Sequence, residues 1–224
     1  MQGLWNIDHH DFTYLYTHMS WYAVLVASNK TKRPFKTFQD FYSYAKDHPG
    51  EVSIATSGVG QSWWIFTMAF LDATGLKCNV IPQPGTGAYA IAQAAGGHTD
   101  LAILGFAAAA PQLDAGNVNF LTVLGPKRAP GKYAETPTIR ELGYDMSIAS
   151  LNSIIAPPKL PKDITDRLVK AIDTAVREPE YQKFLAEKNA TPLFLPGEHT
   201  IKFYDEQYII YRSIMEKFGL LKGK

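Results

Sequence analysis

Cysteine occurs once in the 224 residues, as Cys78 in "GLKCNVIP". One thiol can form neither an internal disulfide nor a cysteine-built zinc site within the chain. Beside an apolar run it reads as a small buried side chain, and it leaves the redox compartment open. Charge of one sign is equally scarce: Lys and Arg total 22 against 21 Asp and Glu, a net of +1 with no long run of either. That argues against a nucleic-acid partner, because counterion release needs a concentrated basic face. No apolar run approaches the roughly 20 residues that span a bilayer, so the chain is expected not to be membrane-spanning. The opening stretch "MQGLWNIDHHDFTYLYTHMSWYAVLVAS" also lacks the basic start, apolar stretch and small-residue cleavage site of an export signal.

What is present is apolar and regular. Hydrophobic residues make up 46% of the chain, enough for one large or two small domains with real cores. Between Glu51 and Gly125 short apolar runs alternate with helical stretches. Residues 52–56, 79–83, 100–104 and 120–124 read as strands, of the kind buried on both faces of a parallel sheet. Residues 62–74, 88–95 and 107–115 read as helices, stopped by Gly75, Gly96 and Gly116. The block is expected to be a doubly wound α/β domain. Before it, residues 21–27 read as a strand, and "FKTFQDFYSYAKDHPG" as an amphipathic helix ended by Pro49-Gly50. After it come a short helix at 138–142, a strand at 151–156, and helices at 161–176, 179–189 and 197–218. The aromatic stripe of the last helix, including Tyr204, Tyr208 and Tyr211, is what any docked helix shows and is expected to be packing.

Open α/β sheets bind ligands on the turns at the C-terminal ends of their strands. Here those turns are Ser57-Gly58-Val59-Gly60-Gln61-Ser62, then Pro84-Gly85-Thr86-Gly87, then Gly105-Phe106. The first runs straight into a helix, so free N–H groups and the positive end of the helix dipole face it. With the hydroxyls of Ser57 and Ser62 as further donors, it reads as a site for one carboxylate. A dinucleotide fingerprint needs a small third residue, and that position is Trp63. A phosphate-binding P-loop needs a Gly-Lys-Ser or Gly-Lys-Thr step, which is absent. A plain helix cap with glycines for a tight turn stays open beside the anion reading.

No catalytic constellation accompanies these turns. Ser57 directly precedes Gly58, so the Gly-x-Ser-x-Gly elbow does not occur around it. His9-His10-Asp11 has metal-like composition but sits in an irregular leader with no partner cluster, and is read as a solvated loop with no metal. His48 and His98, beside Pro-Gly and Gly-Gly, read as surface residues. The cleft is built to hold rather than to react; no cofactor and no enzymatic activity are expected.

The blocks "DFTYLYTHMSWYAVLVASN", "FKTFQDFYSYAKDHPGEVSIATSGVGQS", "IPQPGTGAYAIAQAAGGHTDLAI", "AAAAPQLDAGNVNFLTVLGPKR", "AETPTIRELGYD", "IIAPPKLPKDITDRLVKAI" and "YDEQYIIYRSIMEKFGLL" run in that order. Together they resemble the substrate-binding proteins of tripartite tricarboxylate transporters, also called Bug-type receptors. The resemblance covers nearly all of the chain from Asp11 on. It implies an α/β fold of the type II periplasmic-binding-protein kind: two doubly wound lobes joined by crossover strands at 21–27 and 151–156. It also implies a periplasmic, non-catalytic receptor that closes on a small carboxylate by hinge motion and delivers it to a membrane permease.

Carried onto this sequence, lobe one is residues 1–34 with 147–224 and lobe two is residues 35–146. The carboxylate loop of lobe two falls on Ser57, Gly58, Val59, Gly60, Gln61 and Ser62. Pro84, Gly85, Thr86 and Gly87 line the distal end of the ligand. Gly105 and Asn152 stand where relatives place polar contacts: many have an Asp-Asn pair at Gly105-Phe106, and some a Trp-Arg pair at Leu151-Asn152. The family's lobe one begins with strands and a glycine-rich loop ahead of anything matching Asp11. Lobe one is therefore expected to be incomplete, with apolar surface exposed or covered by another chain. Sequence upstream of Met1 is expected to encode the missing strands and a signal peptide.

Two readings from other classes stand beside this one. A carboxylate-sensing effector module would share the architecture but bring a DNA-binding helix-turn-helix, and none precedes Trp21. A transferase of the same fold, using the anion loop on a phosphate, would need charged residues on the turns, and none is present there.

Overall fold

Val24, Leu25, Val26 and Ala27 are wholly buried because their strand lies inside a five-stranded sheet, with a neighbour on either side. The computed structural model describes residues 8–129, 131–146 and 148–221. They fall into two units: Tyr22–Ile148, and the residues up to Trp21 together with those from Ala149 on. The units divide at 21/22 and 148/149, where the family resemblance implies lobe boundaries at 34/35 and 146/147. The strand Ala23–Ser28 is hydrogen-bonded on both sides within the larger unit, so the chain passes between units just after Trp21, not at Pro34. Met1 to Ile7, Ser147 and residues 222–224, which the sequence assigns to lobe one, lie outside the described residues.

In the larger unit the order is β2 (Ala23–Ser28), α1 (Phe38–Asp47), β3 (Ser53–Thr56), α2 (Ser62–Thr74), β4 (Asn79–Pro82), α3 (Gly87–Gly96), β5 (Leu101–Gly105), α4 (Phe106–Asp114) and β6 (Val118–Leu124). The sheet runs β4-β3-β5-β2-β6. β3 is parallel to β4 and β5, whereas β2 is antiparallel to β5 and β6. The sheet is thus mixed, where the alternation had suggested parallel strands alone. Nor is β4 buried on both faces: it is an edge strand with Asn79 and Pro82 exposed, and Pro at an edge removes no ladder bond. α1 starts at a reciprocal cap, the Thr37 hydroxyl accepting from the Asp40 N–H (3.1 Å) and the Asp40 carboxylate from the Thr37 N–H (3.0 Å). α2 buries most of its circumference, including Trp64, Ile65, Phe66 and Phe70, which makes it the unit's core helix. Gly75 and Gly97, both at positive φ, end α2 and α3, so the second stop is Gly97 and not Gly96. Residues 138–142 form one capped turn instead of a helix; Thr138 bridges to Val123 and its N–H and hydroxyl donate to Glu141.

The smaller unit holds β1 (Thr13–Trp21), β7 (Ser150–Ala156), α5 (Lys162–Arg177), α6 (Pro179–Glu187), β8 (Thr191–Pro196) and α7 (Gly197–Lys217). Its sheet is β7-β1-β8, antiparallel throughout. β1 and β8 are not among the sequence-predicted strands, and residues 21–27 contain the end of one strand and most of the next. Ile154 and Ile155 of β7 are exposed, 38% and 46%. The leader at His9–Asp11 is not irregular: it is a 3-10 turn capped by the Asp8 side chain, and both its imidazoles reach Asp205 of α7. No described helix is long and apolar enough to cross a membrane.

Candidate functional site

Because β3, β4 and β5 are parallel neighbours, the helices that follow them all begin at one edge of the sheet. Strand β3 hands over to α2 through the first glycine-rich turn. Gly58 O accepts from the Gln61 N–H (3.0 Å), and Gly60, third in that turn, has φ +77°, the left-handed position that glycine fills without steric cost. Val59 projects outward at 55% exposure, Gly58 is half-buried, and Gln61 and Ser62 are exposed.

Ser57 plays a part the sequence only hinted at. It is 1% exposed, and its hydroxyl oxygen accepts the N–H of Trp64 (3.1 Å), capping the helix from outside the formal cap position. Gln61, the cap residue itself, makes no side-chain cap bond. The Ile65 N–H closes on Gln61 O (3.0 Å). The N–H groups of Ser62 and Trp63 then have no partner among the described residues, and they point with the helix dipole toward the turn. The cap and anion readings of this loop are therefore compatible: Ser57 supplies the cap, and two backbone donors with the exposed Ser62 hydroxyl remain.

The next two turns repeat the arrangement. α3 begins after Thr86 and α4 after Gly105, and neither cap residue makes a side-chain hydrogen bond. None of α2, α3 and α4 carries an acidic residue in its first turn, in contrast to α1 with Asp40. Each helix end carries the equivalent of about half a positive charge. Three such ends at one edge, none with an acidic residue in its first turn, give a positive potential made by backbone. Pro84, Gly85 and Thr86 are exposed there, while Gly87 and Gly105 are buried.

The side chain that ties the turns together is Trp63, half-buried at the start of α2. A Cβ on Gly105 would stand 2.9 Å from Trp63 Cζ2, and one on Gly87 would stand 3.5 Å from Trp63 Nε1 and 3.0 Å from Leu104 Cβ. The indole can lie against strand and helix because two glycines leave it room. No local pattern announces that, since Gly87 and Gly105 are remote in sequence. Phe106, where relatives are expected to carry a polar residue, is buried and stacks on Phe120 with ring centroids 5.7 Å apart. Asn152 belongs to the smaller unit, half-buried on β7 opposite Met19 of β1.

A family model described as "Tripartite tricarboxylate transporter family receptor" matches residues 4–220. A UPF0065 protein from the gbd 5' region of Cupriavidus necator is 26% identical over 191 residues, which cover 85% of this chain and 58% of that protein. The chain therefore spans little more than half the length of that relative. Among solved structures, a TctC solute-binding protein from Polaromonas superposes with TM-score 0.83 at 24% identity, over 96% of this chain and 73% of the other. An R. palustris protein solved with adipate gives TM-score 0.78 at 24% identity, over 93% of this chain and 69% of the other. At that identity the two structures establish the fold.

Proposed function

The chain belongs to the tripartite tricarboxylate transporter family of receptors, and on that premise we propose that it binds a small organic carboxylate in the periplasm and delivers it to a membrane permease. The family is one of receptors, not enzymes.

The observation that carries the reading is the edge where α2, α3 and α4 begin without an acid in any first turn. An anion there meets N–H donors and three aligned dipoles, and a phosphate site would ordinarily add a lysine or arginine that these turns lack. Hydrogen bonds to a charged partner contribute about 1.5–3 kcal/mol each, so the N–H groups of Ser62 and Trp63 with the Ser62 hydroxyl are enough to orient one carboxylate. Gly58, Val59, Gly60 and Gln61 give that cradle its shape, and Ser57 fixes the helix end behind it. Pro84, Gly85, Thr86, Gly87 and Gly105 line its continuation. A neighbour of the same fold was solved with the dicarboxylate adipate, which favours a linear diacid as the class. Delivery by hinge closure follows the same reading: the ligand shifts the open-to-closed population only by what it binds better in the closed form.

The test is a thermal-shift series over mono- and dicarboxylates of two to eight carbons, about 1 mM each. At least one is expected to raise the melting temperature, and Gly60→Val is expected to remove that rise. Silence across the series would refute the reading; a rise unchanged in Gly60→Val would move the ligand off this loop.

A further inference from the structure

Two imidazoles of the smaller unit are each held between two carboxylates. In the 3-10 turn His9–Asp11, His9 Nε2 lies 2.8 Å from Asp205 Oδ1 and His10 Nε2 lies 3.0 Å from the same oxygen. On the other side of the rings, His9 Nδ1 is 3.3 Å and His10 Nδ1 2.8 Å from Asp8 Oδ1. A neutral imidazole carries one N–H, so two rings offer two donors to four nitrogen–oxygen contacts. When both N–H groups serve Asp205, the two Nδ1 lone pairs converge on Asp8 Oδ1, which otherwise accepts the His10 backbone N–H (2.9 Å). One ligand atom from each of Asp8, His9 and His10 lies within 4.8 Å of the other two.

We propose that Asp8 Oδ1, His9 Nδ1 and His10 Nδ1 bind a divalent cation of the zinc type, with Asp205 as the outer carboxylate that holds both Nε2–H groups. Zinc–nitrogen and zinc–oxygen bonds of about 2.0–2.2 Å at tetrahedral angles put ligand atoms about 3.3 Å apart; the two Nδ1–Asp8 Oδ1 pairs stand at 3.3 and 2.8 Å. A carboxylate on the far ring nitrogen is the usual support of a metal-bound histidine, because it fixes the tautomer and the ring orientation. The scaffold is already set. The turn is pinned by the Asp8 N–H to the Asp11 carboxylate (2.7 Å) and by the His10 N–H to Asp8 Oδ1 (2.9 Å), and His9 stacks on Tyr208 of α7 at 4.8 Å. A mixed imidazole and carboxylate set suits zinc, nickel or cobalt and is poor for magnesium, which takes oxygen ligands and keeps its waters. The fourth position falls to water, and this reading is independent of the carboxylate site.

Titration of the protein with zinc chloride at pH 7.5 is expected to show about one equivalent bound and a raised melting temperature, with no effect of magnesium chloride. His10→Gln is expected to weaken zinc at least tenfold and Asp205→Asn by about 10–100-fold, while His98→Gln leaves it unchanged. Histidine-ring 15N spectra need no substitution: zinc should shift Nδ1 of His9 and His10 and leave Nε2 protonated. No zinc binding, equal binding by His10→Gln, equal binding by Asp205→Asn, or a shift at Nε2 instead would each overturn the assignment.

Discussion

The indole of Trp63 lies so close to Gly105 that a methyl group there would meet Trp63 Cζ2 at 2.9 Å. The backbone at Gly105 is ordinary, φ −69°, so alanine would be opposed by the indole alone. Gly105→Ala is expected to destabilise the larger unit by about 1–3 kcal/mol, the usual result of overpacking. Trp63→Phe removes the part of the ring that clashes, so the same change should cost at least about 0.5 kcal/mol less in that background. Denaturant curves of the four proteins measure the coupling; an equal cost in both backgrounds would show that the contact does not set it.

Ser57 caps α2 at a distance, through the Trp64 N–H at 3.1 Å. Ser57→Ala is expected to lower stability by about 0.5–2 kcal/mol, as loss of a helix cap does. Ser57→Thr, which keeps the hydroxyl, should recover most of it. Unchanged stability in Ser57→Ala would remove the cap from the account.

Cys78 is half-buried, and burial pushes its thiol up to about 12, with Asp100 adding to the effect. At pH 8 only about one molecule in ten thousand then carries the reactive thiolate. Labelling by a disulfide reagent at pH 8 is expected to be at least a hundredfold slower in the native protein than in guanidinium. Comparable rates would contradict the buried placement.

Glu141 is held down to about 2, first by Arg128 and then by the Thr138 N–H and hydroxyl. Its ordinary value is 4.5. A carboxyl with a depressed folded value contributes stability above its unfolded value and loses it as the solution is acidified through the folded one. The loop at 138–142 should therefore loosen between about pH 4.5 and 2, and Glu141→Gln should flatten that part of the stability profile. An identical acid profile in Glu141→Gln would contradict the assignment.

The larger unit was legible because its strands and helices announce themselves locally. "SIAT" and "LAILG" are short apolar strands, and "SWWIFTMAFLDAT" is an apolar helix stopped by a glycine. What escaped depends on distant partners. β8, "TPLFLP", carries two prolines and reads as a loop, yet it is an edge strand where proline is tolerated. β1, "TYLYTHMSW", has its buried residues in a cluster, without strict alternation, because β7 and β8 flank it on both sides. The antiparallel placement of β2 likewise follows from pairing with β5 and β6, which no local pattern encodes. At the site, the glycines and the helix start were visible in the chain. That Ser57 is spent on a cap, and that Trp63 fills the space left by Gly87 and Gly105, depend on the folded geometry.

The central claim is that a carboxylate sits on the turn between β3 and α2. Backbone amide spectra of the 15N-labelled protein, recorded during titration with the best-stabilising diacid, test it most directly. The account predicts that the amides of Ser62 and Trp63 shift most, that Gly85 and Gly87 follow with the same apparent Kd, and that Gly60→Val abolishes all of these shifts. Saturable shifts confined to residues away from residues 57–62 and 84–87, or none at all, would contradict it.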